Sequence, residues 1–383
     1  MNVNTMRFAA NDTAALDFFR DHGYVVLHDV LNEAELDQVD LAWDTVVAEG
    51  AAASAIDPDT FVQRYPQNRD LWRKNTAFQK LLFETRQAEV AQRLLGTSGV
   101  RLFHDHAIAK PAHASSTIPW HQDSASWPLD RTGLSIWTAT TDVGIDGGCL
   151  ELLDASHRDG PSTPQDFLAA DATQGRDDDP RLIAVPVQRG ESVLISGLMW
   201  HRSRPNVVSG RRLAYLTLWV PATVRFRPEH ASWHPTASHI QVAAGERLDG
   251  EWFPLFGRVA DEDDGEAVAF PPPVPTGGPS MFTASKDIRR HIAWLLGYAP
   301  GTPAADLSLA DASLRVRVAD ECVQRQYIAR QDHGALLQVL EDLQTNDDVR
   351  RRSVARDVYL QVPRRWWSLA GTRIAEDMVG VEH

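Results

Sequence analysis

Arg212-Leu213-Ala214-Tyr215-Leu216-Thr217-Leu218-Trp219 is the stretch from which the fold is read. Successive side chains of a strand point to opposite faces, so Arg212, Ala214, Leu216 and Leu218 share one face and Leu213, Tyr215, Thr217 and Trp219 the other. β-Branched, aromatic and leucine residues recur in three more short runs, Arg101 to Ile108, Leu134 to Thr141 and Glu191 to Ser196, with glycine and proline between them. Many short strands without regularly alternating helices predict a mainly β fold with helical additions (α+β). The expected architecture is an antiparallel jelly-roll or cupin-like barrel, not a parallel α/β sheet.

Helical signals flank this β region. Asn32 followed by Glu35 has the form of a capping box, and Leu36, Val39, Trp43 and Val46 fall at helical spacing before Gly50, which is expected to end the helix. Arg86 to Leu95 before Gly96 reads as a second helix. Proline and glycine concentrate over Phe270 to Pro279, so the expected domains are 1–270, the β domain with its N-terminal helices, and 280–383, a helical C-terminal extension. In the extension, Lys286 to Leu296 and Gly334 to Gln344 each carry an apolar face; these faces would cap the barrel mouth or form a homodimer surface. Asp261-Glu262-Asp263-Asp264 reads as an exposed loop.

A chain of 383 residues with a formal net charge of −14 does not suit nucleic acid or an anionic membrane, both of which demand clustered positive charge. Two cysteines, Cys149 and Cys322, are too few for a disulfide framework and fit a reducing compartment. Met1 to Ala15 lacks a signal-peptide core, and nowhere do about eighteen apolar residues run together. The expectation is a cytoplasmic protein that acts on a small molecule.

Trp120-His121-Gln122-Asp123 places two metal-ligand types one residue apart, so that on a strand His121 and Asp123 project toward one point. His201, in Gly197-Leu198-Met199-Trp200-His201, would complete two imidazoles and one carboxylate, the facial set that suits non-haem Fe(II) and leaves positions open for chemistry. His157-Arg158-Asp159 is a second His-x-Asp, but its surroundings have turn composition. A lone strand-end histidine such as His201 is ordinarily satisfied by a backbone carbonyl; what gives it weight is Arg212 on the next strand. A guanidinium beside small and apolar side chains needs an anion, and its planar fork matches the far carboxylate of a dicarboxylic cosubstrate. Arg211, on the opposite face, reads as solvated.

The run Asp17-Phe18-Phe19-Arg20-Asp21-His22-Gly23-Tyr24-Val25-Val26-Leu27, then Ala109-Lys110-Pro111, Trp120 to Asp123, Ile136-Trp137-Thr138-Ala139, Gly147 to Glu151, Ser156-His157, His201-Arg202-Ser203, Pro205-Asn206 and Arg212 resembles the phytanoyl-CoA dioxygenase family of Fe(II)/2-oxoglutarate oxygenases. The resemblance spans roughly Thr13 to Pro228 and does not reach the C-terminal helices. It implies a double-stranded β-helix, iron bound by His121, Asp123 and His201, and 2-oxoglutarate held by Arg212 and Ser203, with Trp137 and His106 at cosubstrate-contacting positions. His106 departs from the smaller or more flexible apolar residue common there and, with His104 and Trp127, is also a substrate-facing candidate. The implied chemistry couples oxidative decarboxylation of 2-oxoglutarate by O2, giving succinate and CO2, to oxidation of a substrate C–H bond. Hydroxylation is the expected outcome, with desaturation, cyclisation or epimerisation as alternatives from the same centre.

Two other classes remain: a cupin-like metal isomerase or dioxygenase that does not use 2-oxoglutarate, and a non-catalytic binding barrel. An acyl-CoA is disfavoured as substrate because no basic cluster lies near the motif to receive its phosphates, and a secondary metabolite is the expected class. Halogenases of this superfamily replace the ligating carboxylate by a small residue, whereas Asp123 is present here. Native enzyme given chloride and a turned-over substrate should therefore yield no chlorinated product by mass spectrometry, and detecting one would contradict the ligand assignment.

Overall fold

The computed structural model describes residues 2–259, apart from 55–56, 65, 115–116, 163–174 and 232–233, together with 311–324 and a few positions between 330 and 337. The proposed boundary at 270–279, the acidic stretch 261–264, the helix at 286–296 and most of that at 334–344 lie outside the described residues. In chain order the elements are β1 (Asn2–Val3), α1 (Thr13–His22), β2 (Tyr24–Leu27), α2 (Glu33–Ser54), α3 (Pro58–Arg64), β3 (Gln67–Arg69), α4 (Leu71–Lys74), α5 (Thr76–Glu84) and α6 (Gln87–Leu95). The strands β4 (Gly99–Lys110), β5 (Ile118–His121), β6 (Leu134–Ala139), β7 (Leu150–Leu153), β8 (Leu182–Val185), β9 (Ser192–Ser196), β10 (His201–Ser203) and β11 (Arg212–Pro221) follow. After them come α7 (Pro228–Ala231), β12 (Leu255–Gly257) and α8 (Ala312–Gln324). None of the described helices is long and apolar enough to cross a membrane.

Two sheets form, one in the order β1-β8-β7-β10-β5 and one in the order β12-β4-β11-β6-β9-β2, with β3 added to β4. Their inner faces share one core. Leu150, Leu152, Ile183 and Val185 of the smaller sheet pack with Trp137, Val193, Ala214, Leu216 and Leu218 of the larger one. This is the expected jelly roll, and the alternation read in β11 holds: Leu213 and Tyr215 belong to a separate outer cluster with Trp43, Phe78 and Leu81 of the N-terminal helices. A further outer cluster seats Val90 and Ala91 of α6 against Leu134, Ile136 and Trp219. Helices thus cover one sheet, and the faces turned inward are left to build a site.

The Asn32–Glu35 capping box closes reciprocally: the Asn32 N–H donates to Glu35 Oε2 at 2.8 Å and the Glu35 N–H to Asn32 Oδ1 at 3.0 Å. Gly96 ends α6 in the left-handed conformation, at φ 64°. Gly50 does not end α2, which continues to Ser54. The reason is packing: a Cβ at Gly50 would lie 2.2 Å from the Phe61 ring of α3, so the glycine admits a close approach inside the helix.

Asp105 on the outer face of β4 is fully buried; its Oδ2 accepts from the Tyr215 hydroxyl at 2.9 Å and the Trp72 N–H at 3.0 Å, pinning α4 to the sheet. Burial first, and then the Asp70 charge, push its carboxyl up from 3.8 to about 7. The folded state therefore holds a proton that the unfolded chain releases near pH 4. Stability from this group is complete below that pH and is lost as pH rises toward 7, with a limiting slope of about 1.4 kcal/mol per pH unit. Asp105→Asn, which keeps an acceptor but cannot ionise, should flatten the fall in thermal midpoint between pH 5 and pH 7.5. Parallel wild-type and variant profiles would show that the carboxyl does not titrate there.

Candidate active site

His201 opens β10 and stands directly opposite His121, the last residue of β5, so the antiparallel register brings the two imidazole centroids to 4.0 Å. Asp123 is not on the strand as the one-residue spacing predicts; it opens a 3-10 turn, Asp123–Ser126. Gln122 between them keeps extended dihedrals, φ −117° and ψ 126°, so strand-like alternation persists one residue past β5 and the carboxylate still swings to the histidine side. Asp123 Oδ1 lies 3.4 Å from His121 Nε2 and 3.7 Å from His201 Nε2. The ligand atoms of the three side chains all lie within 4.8 Å of one another, close enough to be shared by one metal ion. Among the described residues this is the one group of three or more His, Cys, Asp or Glu side chains with ligand atoms close enough to share a metal.

The outer contacts fix which atoms face the ion. His121 Nδ1 lies 2.8 Å from the Pro119 carbonyl and His201 Nδ1 lies 2.9 Å from that of Met199. A carbonyl only accepts, so each Nδ1 carries the hydrogen and each Nε2 presents its lone pair. Burial, and then His121, push His201 down to about 4, leaving it neutral as a ligand must be. Burial opposes the charge on Asp123, yet His201, His121 and a 2.5 Å hydrogen bond donated by Ser135 to Oδ2 together hold the carboxyl well below its usual range. Gln122 turns the other way: its amide donates to the Gly160 and Leu198 carbonyls and accepts the Ser162 N–H, tying the approach to His201 to the neighbouring loop. Ser156 completes that brace by accepting the Trp200 N–H at 2.9 Å. The second His-x-Asp takes no part, since His157 meets the Arg20 carbonyl and Asp159 pairs with Arg181.

Arg212 sits on the inner face of β11 and is fully buried. Its Nη1 donates to the Gly148 carbonyl at 2.7 Å, while Nε and Nη2 have no hydrogen-bond partner. Gly148 is a glycine by necessity: φ is 72°, and a Cβ there would meet the Arg204 carbonyl at 2.5 Å. Ser203, two residues after His201 and hence on the same face of β10, also has a buried hydroxyl without a partner. Leaving a buried donor unpaired costs about 1–3 kcal/mol, and these orphaned atoms have the chemistry to receive a carboxylate. Desolvation pushes Arg212 down to about 10, which still leaves it charged at neutral pH. Trp137, expected beside the cosubstrate, has its ring 5.4 Å from the guanidinium carbon. Lys110, paired in register with Arg212, donates to the Ser203 and Arg204 carbonyls at 3.3 and 2.6 Å and holds β10 in place. Arg211, expected to be solvated, is exposed and pairs with Asp44.

His104 and His106 lie on the inner face of β4, their rings 5.3 Å apart, at the level of Ser135 and Trp137 two strands away. Trp127 is buried against Phe103 at 5.3 Å. Periodicity does not single out Ser135, Gln122, Ser156, Arg69 or His234, which reach this region through pairings distant in sequence. Lys110 does share strand parity with His104 and His106, and that signal was legible.

Two histidines and a carboxylate converging from one side form a candidate metal site of the kind that suits non-haem iron. The phytanoyl-CoA dioxygenase family profile matches residues 19–214, just over half of the chain, and the chain belongs to that family, within the Fe(II)/2-oxoglutarate oxygenase superfamily. The cosubstrate of the superfamily, 2-oxoglutarate, fits the orphaned Arg212 and Ser203 donors. Similar curated proteins include phytanoyl-CoA dioxygenase domain-containing protein 1 of Rattus norvegicus, 31% identical over 133 residues, covering 30% of this chain and 45% of that protein. The Danio rerio protein of that name is 27% identical over 163 residues, covering 38% and 55%. The chain thus spans about half the length of the curated relatives it matches. Among solved structures, the non-heme alpha-ketoglutarate-dependent carbocyclase SnoK from nogalamycin biosynthesis superposes with a TM-score of 0.54 at 22% identity, covering 65% of this chain and 99% of that one, and so shares the fold.

Ser135→Ala removes the hydrogen bond that aims Asp123, and loss of such an outer partner typically lowers metal affinity by roughly 10–100-fold. Titration with Fe(II) under anaerobic conditions should show that weakening with the thermal midpoint little changed; undiminished affinity would mean that Asp123 is positioned without Ser135.

Proposed function

We propose that the protein is an Fe(II)/2-oxoglutarate-dependent dioxygenase that hydroxylates an unactivated C–H bond of a small organic molecule. The observation that carries this reading is the unpaired, fully buried Arg212 fork beside the Ser203 hydroxyl, on the inner face that also holds His121, Asp123 and His201. A cupin-like centre that does not use 2-oxoglutarate has no need of a buried cation with two idle donors.

In this reading His121, Asp123 and His201 hold the iron, which with 2-oxoglutarate and O2 supplies the oxidant for the substrate while the cosubstrate leaves as succinate and CO2. Everything else is positioning. Arg212 and Ser203 receive the distal carboxylate of 2-oxoglutarate, and the Trp137 ring flanks it. Pro119 and Met199 carbonyls keep both imidazoles in the ligating tautomer, and Ser135 orients Asp123. The apolar inner walls from Leu216, Leu218 and Val193 exclude bulk water, which strengthens each of these electrostatic contacts.

Arg212→Met tests the reading with two readouts. Loss of one partner of a buried charged pair costs ~2–5 kcal/mol, so the KM for 2-oxoglutarate in succinate formation should rise by about 30-fold or more. The upward shift that 2-oxoglutarate gives to the wild-type thermal midpoint should vanish, while the ligand-free variant, relieved of an uncompensated buried charge, should be no less stable than wild type. An unchanged KM with the thermal shift intact would overturn the assignment.

A further inference from the structure

The inner face of β4 carries two imidazoles that neither the iron ligands nor the cosubstrate fork uses. His104 and His106 lie two residues apart on that face, and both are buried. The β4–β11 register shifts where Leu218 pairs with His104 and Trp219 with Leu102, so Phe103 is the extra residue of a bulge and joins the inner core beside them. Bulges re-aim side chains, and this one brings a phenyl ring to 5.3 Å from the His104 ring.

The contact between the two imidazoles limits what they can do. Their Nδ1 atoms face each other at 3.4 Å, and two ring N–H groups cannot point at one another, so one Nδ1 donates and the other accepts. Burial, followed by the Arg69 charge, drives His104 well below the ordinary imidazole range and His106 to about 3, so both rings are neutral at pH 7.5. His104 has a second neighbour in the Asp105 backbone. His106 has no second hydrogen bond among the described residues, which leaves its Nε2 open. That atom accepts if His106 gives its hydrogen to His104, and donates if His106 receives one. A hydroxyl serves either tautomer, because a single oxygen both donates and accepts; a carboxylate serves only one, and meets no charge on the ring.

We propose that His106, braced by His104, receives a hydroxyl group of the organic substrate. The location suits that role. His106 is aligned across β11 with Leu216 and then with Trp137, two strand spacings or about 10 Å away, and Ser135, which holds Asp123, precedes Trp137 by two residues on the same face. The Asp123 carboxylate acts on the His106 ring, which therefore stands within electrostatic reach of the iron ligands. Lys110, the register partner of Arg212, is four residues farther along β4, about 13 Å, so the hydroxyl position is separate from the cosubstrate fork. Leu216 and Leu218 lie between the imidazoles and β6, and Phe103 packs 5.3 Å from Trp127, so apolar side chains adjoin the polar contact and suit a hydrocarbon body. The inference deepens the oxygenase reading and rests on it for the fate of the bound molecule, but binding is testable without turnover.

The full chain loaded with Zn(II) in place of iron, plus 2-oxoglutarate, is titrated calorimetrically at pH 7.5 with matched sets of an alcohol, its methyl ether and the acid of the same skeleton. The alcohols are benzyl alcohol, 2-phenylethanol and cyclohexylmethanol; the acids are benzoate, phenylacetate and cyclohexanecarboxylate. At least one alcohol should bind about fivefold or more tightly than both its ether and its acid, the factor that one net hydrogen bond supplies. His106→Phe should bring alcohol and ether within about twofold, while His106→Gln, whose amide both donates and accepts, should keep part of the preference. Both variants should keep the upward shift that 2-oxoglutarate gives to the thermal midpoint, which shows that they fold and bind the cosubstrate. Equal affinity of alcohol and ether in every set, an acid as the tightest ligand of every set, no binding by any alcohol, or an alcohol preference that survives His106→Phe would overturn the proposal. So would loss of the 2-oxoglutarate shift in both variants, which would put His106 in the cosubstrate site. Failure of the wild type to bind 2-oxoglutarate in the same instrument would instead count against the oxygenase reading.

Discussion

Two imidazoles meet because β10 is threaded between β7 and β5 with His201 opposite His121, and the rest of the site is arranged around that cross-strand pair. A slip of one residue in an antiparallel pair sends every side chain to the other face. Here it would turn His201 into the outer layer where Arg202 now pairs with Glu151 and Asp177. That ion cluster, with Arg204 joining Glu151 and Asp177, locks the register from outside. Ser203 then falls on the metal side by parity alone. One register thus brings the proposed metal ligand and the proposed cosubstrate donor to the same face together.

Buried charge is concentrated where ligands are expected and neutralised where they are not. Outside the larger sheet, Asp105 is shielded by two donated hydrogen bonds and a raised affinity for its proton. Inside, Arg212 keeps its charge with two donors idle, and Lys110, pushed well below its usual range by burial and by Arg212, spends its hydrogen bonds on backbone carbonyls of β10. Burying a guanidinium with unpaired donors costs free energy, and a bound carboxylate would relieve that cost. Specific binding of a dicarboxylate would in turn stabilise the fold by mass action.

The legible part of this molecule is the part governed by short periods. Alternation in Arg212 to Trp219 assigns both faces of β11 correctly, and the Asn32–Glu35 box marks the start of α2. Local rules also mislead where packing overrides them: Gly50 reads as a terminator but is a contact point for Phe61, and Asp123 reads as a strand residue but sits in a turn. What stays hidden is whatever depends on register between distant strands. Nothing near Ser135 in sequence announces that it will hold Asp123, nor does anything near Arg69 announce His106 as its neighbour. The family resemblance points to the proposed metal and cosubstrate residues by position, and the tautomers that would let the two histidines ligate are visible only in the structure.

The proposed function requires a 2-oxo acid to share one iron atom with His121, Asp123 and His201. Mixing protein, Fe(II) and 2-oxoglutarate without oxygen and recording the visible spectrum tests that most directly. Wild-type protein should develop a weak charge-transfer band on addition of 2-oxoglutarate, and His201→Ala should not. A wild-type spectrum indistinguishable from that of Fe(II) and 2-oxoglutarate in buffer, or a band of equal strength in the variant, would contradict it.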